Sequence, residues 1–217
     1  MKKKEIYLLS PLKKEETISL PMIEFSILKK SIDFSYCDTL MFTSKQAVVS
    51  ANEIDKSWKN YPSIAIGKAT KSKIEELGGE VIHNPKKFYG KELAKDIKES
   101  FRDKKILYLR PEIVSFDSKA YLAKSYIELK EQIIYKTSCK EYPIDKKPSK
   151  NSIIIFTSPS TIHCFFKNFE WDSTYIAVLI GNATKEHLPN YCEYVVADEA
   201  LIDACIRKAR ELIVGFQ

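Results

Sequence analysis

Hydroxyl side chains at the ends of apolar runs are where this sequence offers chemistry. Phe42-Thr43-Ser44 closes one such run, and Phe156-Thr157-Ser158 closes another. Ile66-Gly67-Lys68-Ala69-Thr70 and Ile180-Gly181-Asn182-Ala183-Thr184 stand at the ends of two more. A Ser or Thr that begins a helix accepts a backbone N–H, and the N–H groups left free there carry the positive end of the helix dipole. Such turns bind carboxylates. Ser44 and Ser158 stand where an N-cap is wanted, and Pro159 occupies a helical position where a missing N–H costs nothing. Gly67 and Gly181 are expected to let the backbone turn tightly and approach a ligand, while Thr70 and Thr184 add hydroxyls at the start of the next helices. Each of these residues, taken singly, is explained by helix capping; capping and binding are compatible. Arg110, at the end of another apolar run, suits a carboxylate in forked geometry or an ion pair at a domain surface.

The spacing of the turns raises them above capping. From Phe42 to Phe156 and from Ile66 to Ile180 the offset is the same 114 positions. Two matches at one offset, each at the same point of a strand-to-helix turn, identify an internal duplication. The repeated unit is strand, helix, strand, helix.

The elements that must position these turns alternate along the chain. Extended segments are expected at 6–9, 39–42, 63–66, 80–83, 105–109, 132–137, 152–156, 175–180 and 194–197, from their β-branched and apolar runs. Helices are expected at 46–54, 71–77, 91–101, 118–129 and 199–214, and after each of the second-half motifs. Gly78-Gly79 closes the helix at 71–77, where a left-handed residue is wanted. Strands spaced regularly by helices predict an α/β fold of two similar domains, each a parallel sheet flanked by helices. Ligands of open parallel sheets bind beyond the carboxyl ends of the strands, where the Thr-Ser turns fall.

Composition narrows the function classes. With 217 residues and 44% apolar content there is material for two small cores, and 6 Gly and 9 Pro exclude a low-complexity chain. The basic opening of residues 1–4 is followed by too short an apolar run for a signal peptide, and no run approaches a membrane span. The net charge of +6 is spread without an aromatic-interleaved basic stripe, so neither nucleic acid nor a membrane is expected as a partner. Five scattered cysteines, none in a Cys-x-x-Cys pair, argue against a disulfide framework and for a reducing cytoplasm. Three isolated histidines offer no metal motif.

With Leu107-Tyr108-Leu109-Arg110 and Ile134-Tyr135-Lys136-Thr137 between the two pairs of turns, the ordered set resembles uroporphyrinogen-III synthase over residues 39–184. The resemblance implies a cofactor-free lyase that cyclises the linear tetrapyrrole hydroxymethylbilane to uroporphyrinogen III, with inversion of the last ring and loss of water. It implies a monomer in the cytoplasm. One domain would comprise residues 1–22 and 142–217 and the other residues 36–129, joined by an extended two-stranded ladder of crossing strands at 23–35 and 130–141. Clusters of main-chain donors would then meet across a hinged gap. Thr43, Ser44, Thr70, Arg110, Thr157, Ser158 and Thr184 would orient the substrate's carboxylates, and Tyr135, in the motif's tyrosine position, would be the acid.

The sequence departs from the family pattern in places. Ser10 stands where an arginine commonly ends the first strand, and Pro111 where a glycine commonly follows the mid-chain arginine. Pro11 and Pro21 interrupt the segment after the first strand, so the first crossover helix is expected to be shortened or lost, leaving one sheet face exposed. Two other classes remain at this point: a two-lobed cytosolic binding protein for a small polycarboxylate, and a sugar-phosphate isomerase. The isomerase typically needs a glutamate or histidine beside the turns, and none is there.

Overall fold

The computed structural model describes residues 4–85 and 90–214; the basic opening residues 1–3 lie outside them. The chain divides into two compact units, residues 1–24 with 138–217, and residues 25–137. In chain order the strands and helices begin with β1 (Ile6–Leu8), β2 (Ile18–Ser19), β3 (Ile23–Ile27), β4 (Thr39–Phe42), α1 (Lys45–Ile54), β5 (Ser63–Ala65), α2 (Lys68–Glu76) and β6 (Val81–His83). They continue with α3 (Gly90–Ser100), β7 (Ile106–Pro111), α4 (Ser118–Ala123), β8 (Leu129–Cys139), β9 (Ile153–Phe156), α5 (Pro159–Asn168), β10 (Ile176–Leu179), α6 (Asn182–Lys185), β11 (Tyr194–Val196) and α7 (Ile202–Val214).

The sheet of residues 1–24 and 138–217 runs β11-β10-β9-β1-β2, each neighbouring pair parallel. Its centre is the run Ile153-Ile154-Ile155-Phe156, buried at every position because helices cover both faces. Ile153 and Ile155 pack with Ala204, Cys205 and Ala209 of α7. Phe156 meets Phe165 of α5 edge-to-face, and Trp171 and Tyr175 extend that aromatic layer. No helix links β1 to β2, as the prolines imply, but the expected bare sheet face is not found. β9 and β10 are buried throughout, and the exposed strand residues fall on the two edges, Tyr194 of β11 and both residues of β2, a strand the sequence does not announce.

The sheet of the other unit is ordered β3-β8-β7-β4-β5-β6. The strands from β8 to β6 are parallel along that order. One face packs Phe42, Leu107, Leu109 and Tyr135 with α1 and the fully buried Trp58. The other packs Met41, Ile64, Ile106 and Tyr108 with Leu93 and Ile97 of α3 and Leu122 of α4.

Several elements depart from expectation for local reasons. The helix expected at 118–129 stops at Ala123, because Tyr126 enters the left-handed region with φ 57 and Leu129 already pairs with Ile106. α2 starts three residues before the expected 71, directly after Gly67. Gly67 has φ 82, which a side chain would strain, whereas Gly181 has φ 175 and is extended backbone that any residue adopts. Gly181 is therefore not needed for a tight turn. One pair of cysteines is bonded against expectation: Cys139 at the end of β8 and Cys164 in α5 form a disulfide with Cα atoms 5.1 Å apart, while Cys37, Cys192 and Cys205 are free. Their 25-residue separation in sequence gives no sign that a strand end and a helix meet.

Candidate active site

The turn after β4 is built by its own side chains. Ser44 is extended (φ −151, ψ 148) and its Oγ accepts the Ala47 N–H at 3.1 Å, which starts α1. The same Oγ lies 2.8 Å from the Tyr135 hydroxyl, and Thr43 Oγ1 lies 2.7 Å from the Tyr108 hydroxyl. Tyr108 and Tyr135 come from the neighbouring strands β7 and β8 and belong to the cores on opposite faces of the sheet. Two phenols rising through two cores thus end on two consecutive hydroxyl residues.

Burial governs the chemistry of both phenols. It pushes Tyr108 up to about 12, against the opposing pull of the Thr43 hydrogen bond and the Arg110 charge. Burial raises Tyr135 as well, and its contact with Ser44 opposes the rise. Both phenols hold their protons through the neutral range. Each is a hydrogen-bond donor there.

Arg110, the penultimate residue of β7, lies on the α3/α4 side. Its Nη1 donates to the carbonyls of Pro111 at 2.9 Å and Glu112 at 3.1 Å. Its Nε stands 3.3 Å from Glu131 Oε1, yet it is buried and makes no hydrogen bond. The short distance therefore records charge attraction without a directed N–H, and the arginine is held mainly by its own backbone and by Glu131's charge. Pro111, which has no N–H to give, coincides with a register shift that sets it opposite Tyr135. A cavity of about 580 Å3 opens beside the pair, lined by Arg110, Val114, Asp117, Lys119, Ala120 and Glu131.

In the other unit the repeated motif forms a reciprocal cap. Ser158 Oγ accepts the Thr161 N–H at 3.3 Å, and Thr161 Oγ1 accepts the Ser158 N–H at 3.2 Å, with Pro159 opening α5. Thr157 is half-buried and has no side-chain hydrogen bond among the described residues. Thr70 and Thr184 are the third residues of α2 and α6 and are buried. α6 is a single turn, so the expected four helix N-termini reduce to three helices of nine or ten residues and one short turn. The geometry therefore joins Thr43, Ser44 and Tyr135 directly; Arg110 sits along β7 from them, Thr70 on the next helix, and Thr157, Ser158 and Thr184 in the other unit.

Two residues of this site are not among those the sequence singles out, Tyr108 and Glu131. The signal for Tyr108 is present: a tyrosine inside the buried run 105–109 must find a partner for its hydroxyl. Glu131 faces Tyr108 across the β7/β8 register, which only the strand pairing reveals. Among the described residues no group of three or more His, Cys, Asp or Glu side chains is placed to hold a metal ion, and no helix is long and apolar enough to cross a membrane.

Parallel sheets flanked by helices in both units, with hydroxyl-capped turns beyond the carboxyl ends of β4 and β9, define a duplicated α/β protein with candidate anion-binding turns. The chain belongs to the uroporphyrinogen-III synthase family: the family model described as uroporphyrinogen-III synthase HemD matches residues 13–207. It is similar to a uroporphyrinogen-III synthetase from Helicobacter pylori 26695, at 25% identity over 96% of this chain and 99% of that one, with a TM-score of 0.78. A mutant uroporphyrinogen III synthase from the extremely thermophilic bacterium Thermus thermophilus shares the fold at 10% identity, over 99% of this chain and 100% of that one, with a TM-score of 0.63. No curated protein matches the chain.

Proposed function

We propose that this protein cyclises hydroxymethylbilane to uroporphyrinogen III, inverting the last ring and releasing water, as a lyase that uses no cofactor. The observation that carries this reading is the family match from residue 13 to 207, which includes every candidate site residue. The binding-module alternative has no comparable support.

In the proposed reaction the C–O bond of the substrate's hydroxymethyl group breaks and a proton joins the leaving oxygen, so water departs and an azafulvene cation remains. That cation is attacked by the last ring's already substituted α-carbon, forming a C–C bond. The bond from this carbon to its old methylene bridge then breaks, and the freed bridge carbon, now the cation, bonds the ring's other α-carbon. That α-carbon gives up its proton, so the last ring ends inverted. Tyr135 is the proposed acid. Ser44 supports this role: its Oγ already accepts the Ala47 N–H, so its own proton is free to point at the Tyr135 oxygen, leaving the phenol proton available to the leaving group. A phenol is a weak acid, and much of the rate must come from positioning. Thr43, Ser44, Thr70, Thr157, Ser158 and Thr184, with the backbone N–H groups beside them, are proposed to bind carboxylates, and Arg110 to pair with another. A Cβ built on Gly181 meets nothing within 4 Å, and its backbone is ordinary; close approach of a ligand is the role left for a glycine there.

We assign residues 1–22 with 142–217 and residues 36–129 to the two working domains, with 23–35 and 130–141 as crossing strands, and take the active form as a monomer. Placement in the cytoplasm rests on the family's biosynthetic role and must accommodate the Cys139–Cys164 bond, since reducing compartments disfavour disulfides.

The test is to supply hydroxymethylbilane, oxidise the products and separate type I from type III porphyrin. Type III from the wild-type protein is expected; type I alone, the product of unassisted closure, rejects the reading. Tyr135→Phe is expected to slow type III formation about tenfold or more, the scale of one general acid. Unchanged kinetics would remove Tyr135 from the chemistry.

A further inference from the structure

Tyr108 has no role in the proposed reaction, yet it is joined directly to the first Thr-Ser turn. Its side chain is 2% exposed, fixed among Met41, Ile64, Leu93 and Ile106. Its hydroxyl ends 2.7 Å from Thr43 Oγ1. The duplication supplies an internal comparison. Thr157 occupies the same point of the repeated motif, and among the described residues it has no hydroxyl partner, although the turn and the helix after it form with a complete cap. The Tyr108–Thr43 pair is therefore not required to build a Phe-Thr-Ser turn.

What the pair does fix is the direction of one hydroxyl. Thr43 has one proton to give and can accept from Tyr108. With the neutral phenol donating to Thr43 Oγ1, the threonine proton is left to point away from Tyr108. The chain phenol, threonine, anion aligns two O–H dipoles toward a negative group, and each bond polarises the next. The neighbouring pair runs the other way in the proposed reaction, with Ser44 donating to Tyr135 and the phenol facing outward. We propose that Tyr108 is a positioning residue that holds the Thr43 hydroxyl for a substrate carboxylate, so that it serves binding of the tetrapyrrole and not the bond-breaking step.

This rests on the proposed cyclase reading, and the experiment separates the two. Initial rates of type III formation are measured against hydroxymethylbilane concentration for wild type, Y108F, T43V, T43S and the double variant Y108F/T43V, with thermal midpoints recorded for each. The expected result is a KM raised about two- to tenfold in Y108F and T43V, the range of one hydrogen bond, with kcat within about twofold of wild type. The double variant is expected to be no worse than the worse single one, because both remove one interaction. T43S, which keeps the hydroxyl, is expected to recover most of the binding lost in T43V. A wild-type KM in Y108F, a fall in kcat alone, multiplicative losses in the double variant, or a Y108F chain that does not fold would each overturn the assignment. Type I product alone from wild type would instead reject the cyclase reading itself.

Discussion

A phenol buried in a core keeps its proton until the solution is alkaline enough to match the cost of a buried charge. Tyr108 is pushed from 10 to about 12, so the folded protein binds its proton more tightly than the unfolded chain does. The resulting stability is fully present below pH 10, the unfolded value, and is lost as pH rises through about 12. One unit corresponds to about 1.4 kcal/mol, so the loss is of order 3 kcal/mol. Urea unfolding at pH 8, 10 and 11 is expected to show wild type weakening more steeply above pH 10 than Y108F does. Parallel curves would mean that Tyr108 meets solvent more freely than its packing indicates. At this scale the legible residues are those whose task is local: Ser44 and Ser158 can be read as caps because capping depends only on the next three residues. Tyr108 and Glu131 cannot, because their roles come from a neighbouring strand. Arg110 is legible as the end of a strand, but its attachment to Pro111, Glu112 and Glu131 is not.

Among the elements, α2 shows how a helix end can be fixed by a distant ring. The Gly78-Gly79 pair is legible as its stop, and Gly78 does take the left-handed conformation, with φ 88. Gly79 has a different reason to be glycine. A Cβ there would lie 2.5 Å from the ring of Trp58, which is fully buried and wedged against Phe42. Both rings are fully buried. Gly79→Ala is expected to destabilise the protein by about 1–3 kcal/mol through overpacking, read as a lower midpoint in urea with an unchanged slope. A midpoint equal to wild type would show that the Trp58 ring shifts easily. The remaining elements follow the same division. Strands such as 152–156 are legible because an uninterrupted β-branched run has only one favourable place, the middle of a parallel sheet. β2, two exposed residues long, carries no periodicity at all, and its pairing with β1 is set by the sheet it joins.

For the whole molecule, the duplication is readable because a fixed offset survives in sequence, whereas the Cys139–Cys164 bond is not, because it depends on where a strand end and a helix meet in space. Both cysteines lie in the unit formed by residues 1–24 and 138–217. The same junction is also held by Asn168, which receives the Tyr142 N–H at 2.7 Å and donates to the carbonyls of Lys140 at 2.9 Å and Cys164 at 2.8 Å. These contacts seat α5 beside the end of β8 together with the bond, and in the unfolded chain the bond closes a loop across the 25-residue separation. Loop-closure entropy puts that at about 3 kcal/mol. Reduction, or Cys164→Ser, is therefore expected to lower the thermal midpoint by roughly 10 °C while leaving the fold intact. Cys37→Ser, which removes a free thiol, is expected to melt with wild type. The measurement is a thermal melt with and without reductant, beside a count of reactive thiols in denaturant. Five free thiols in the protein as isolated, or melts that coincide with and without reductant, would show that the bond does not contribute in solution and that the Asn168 contacts alone hold the junction.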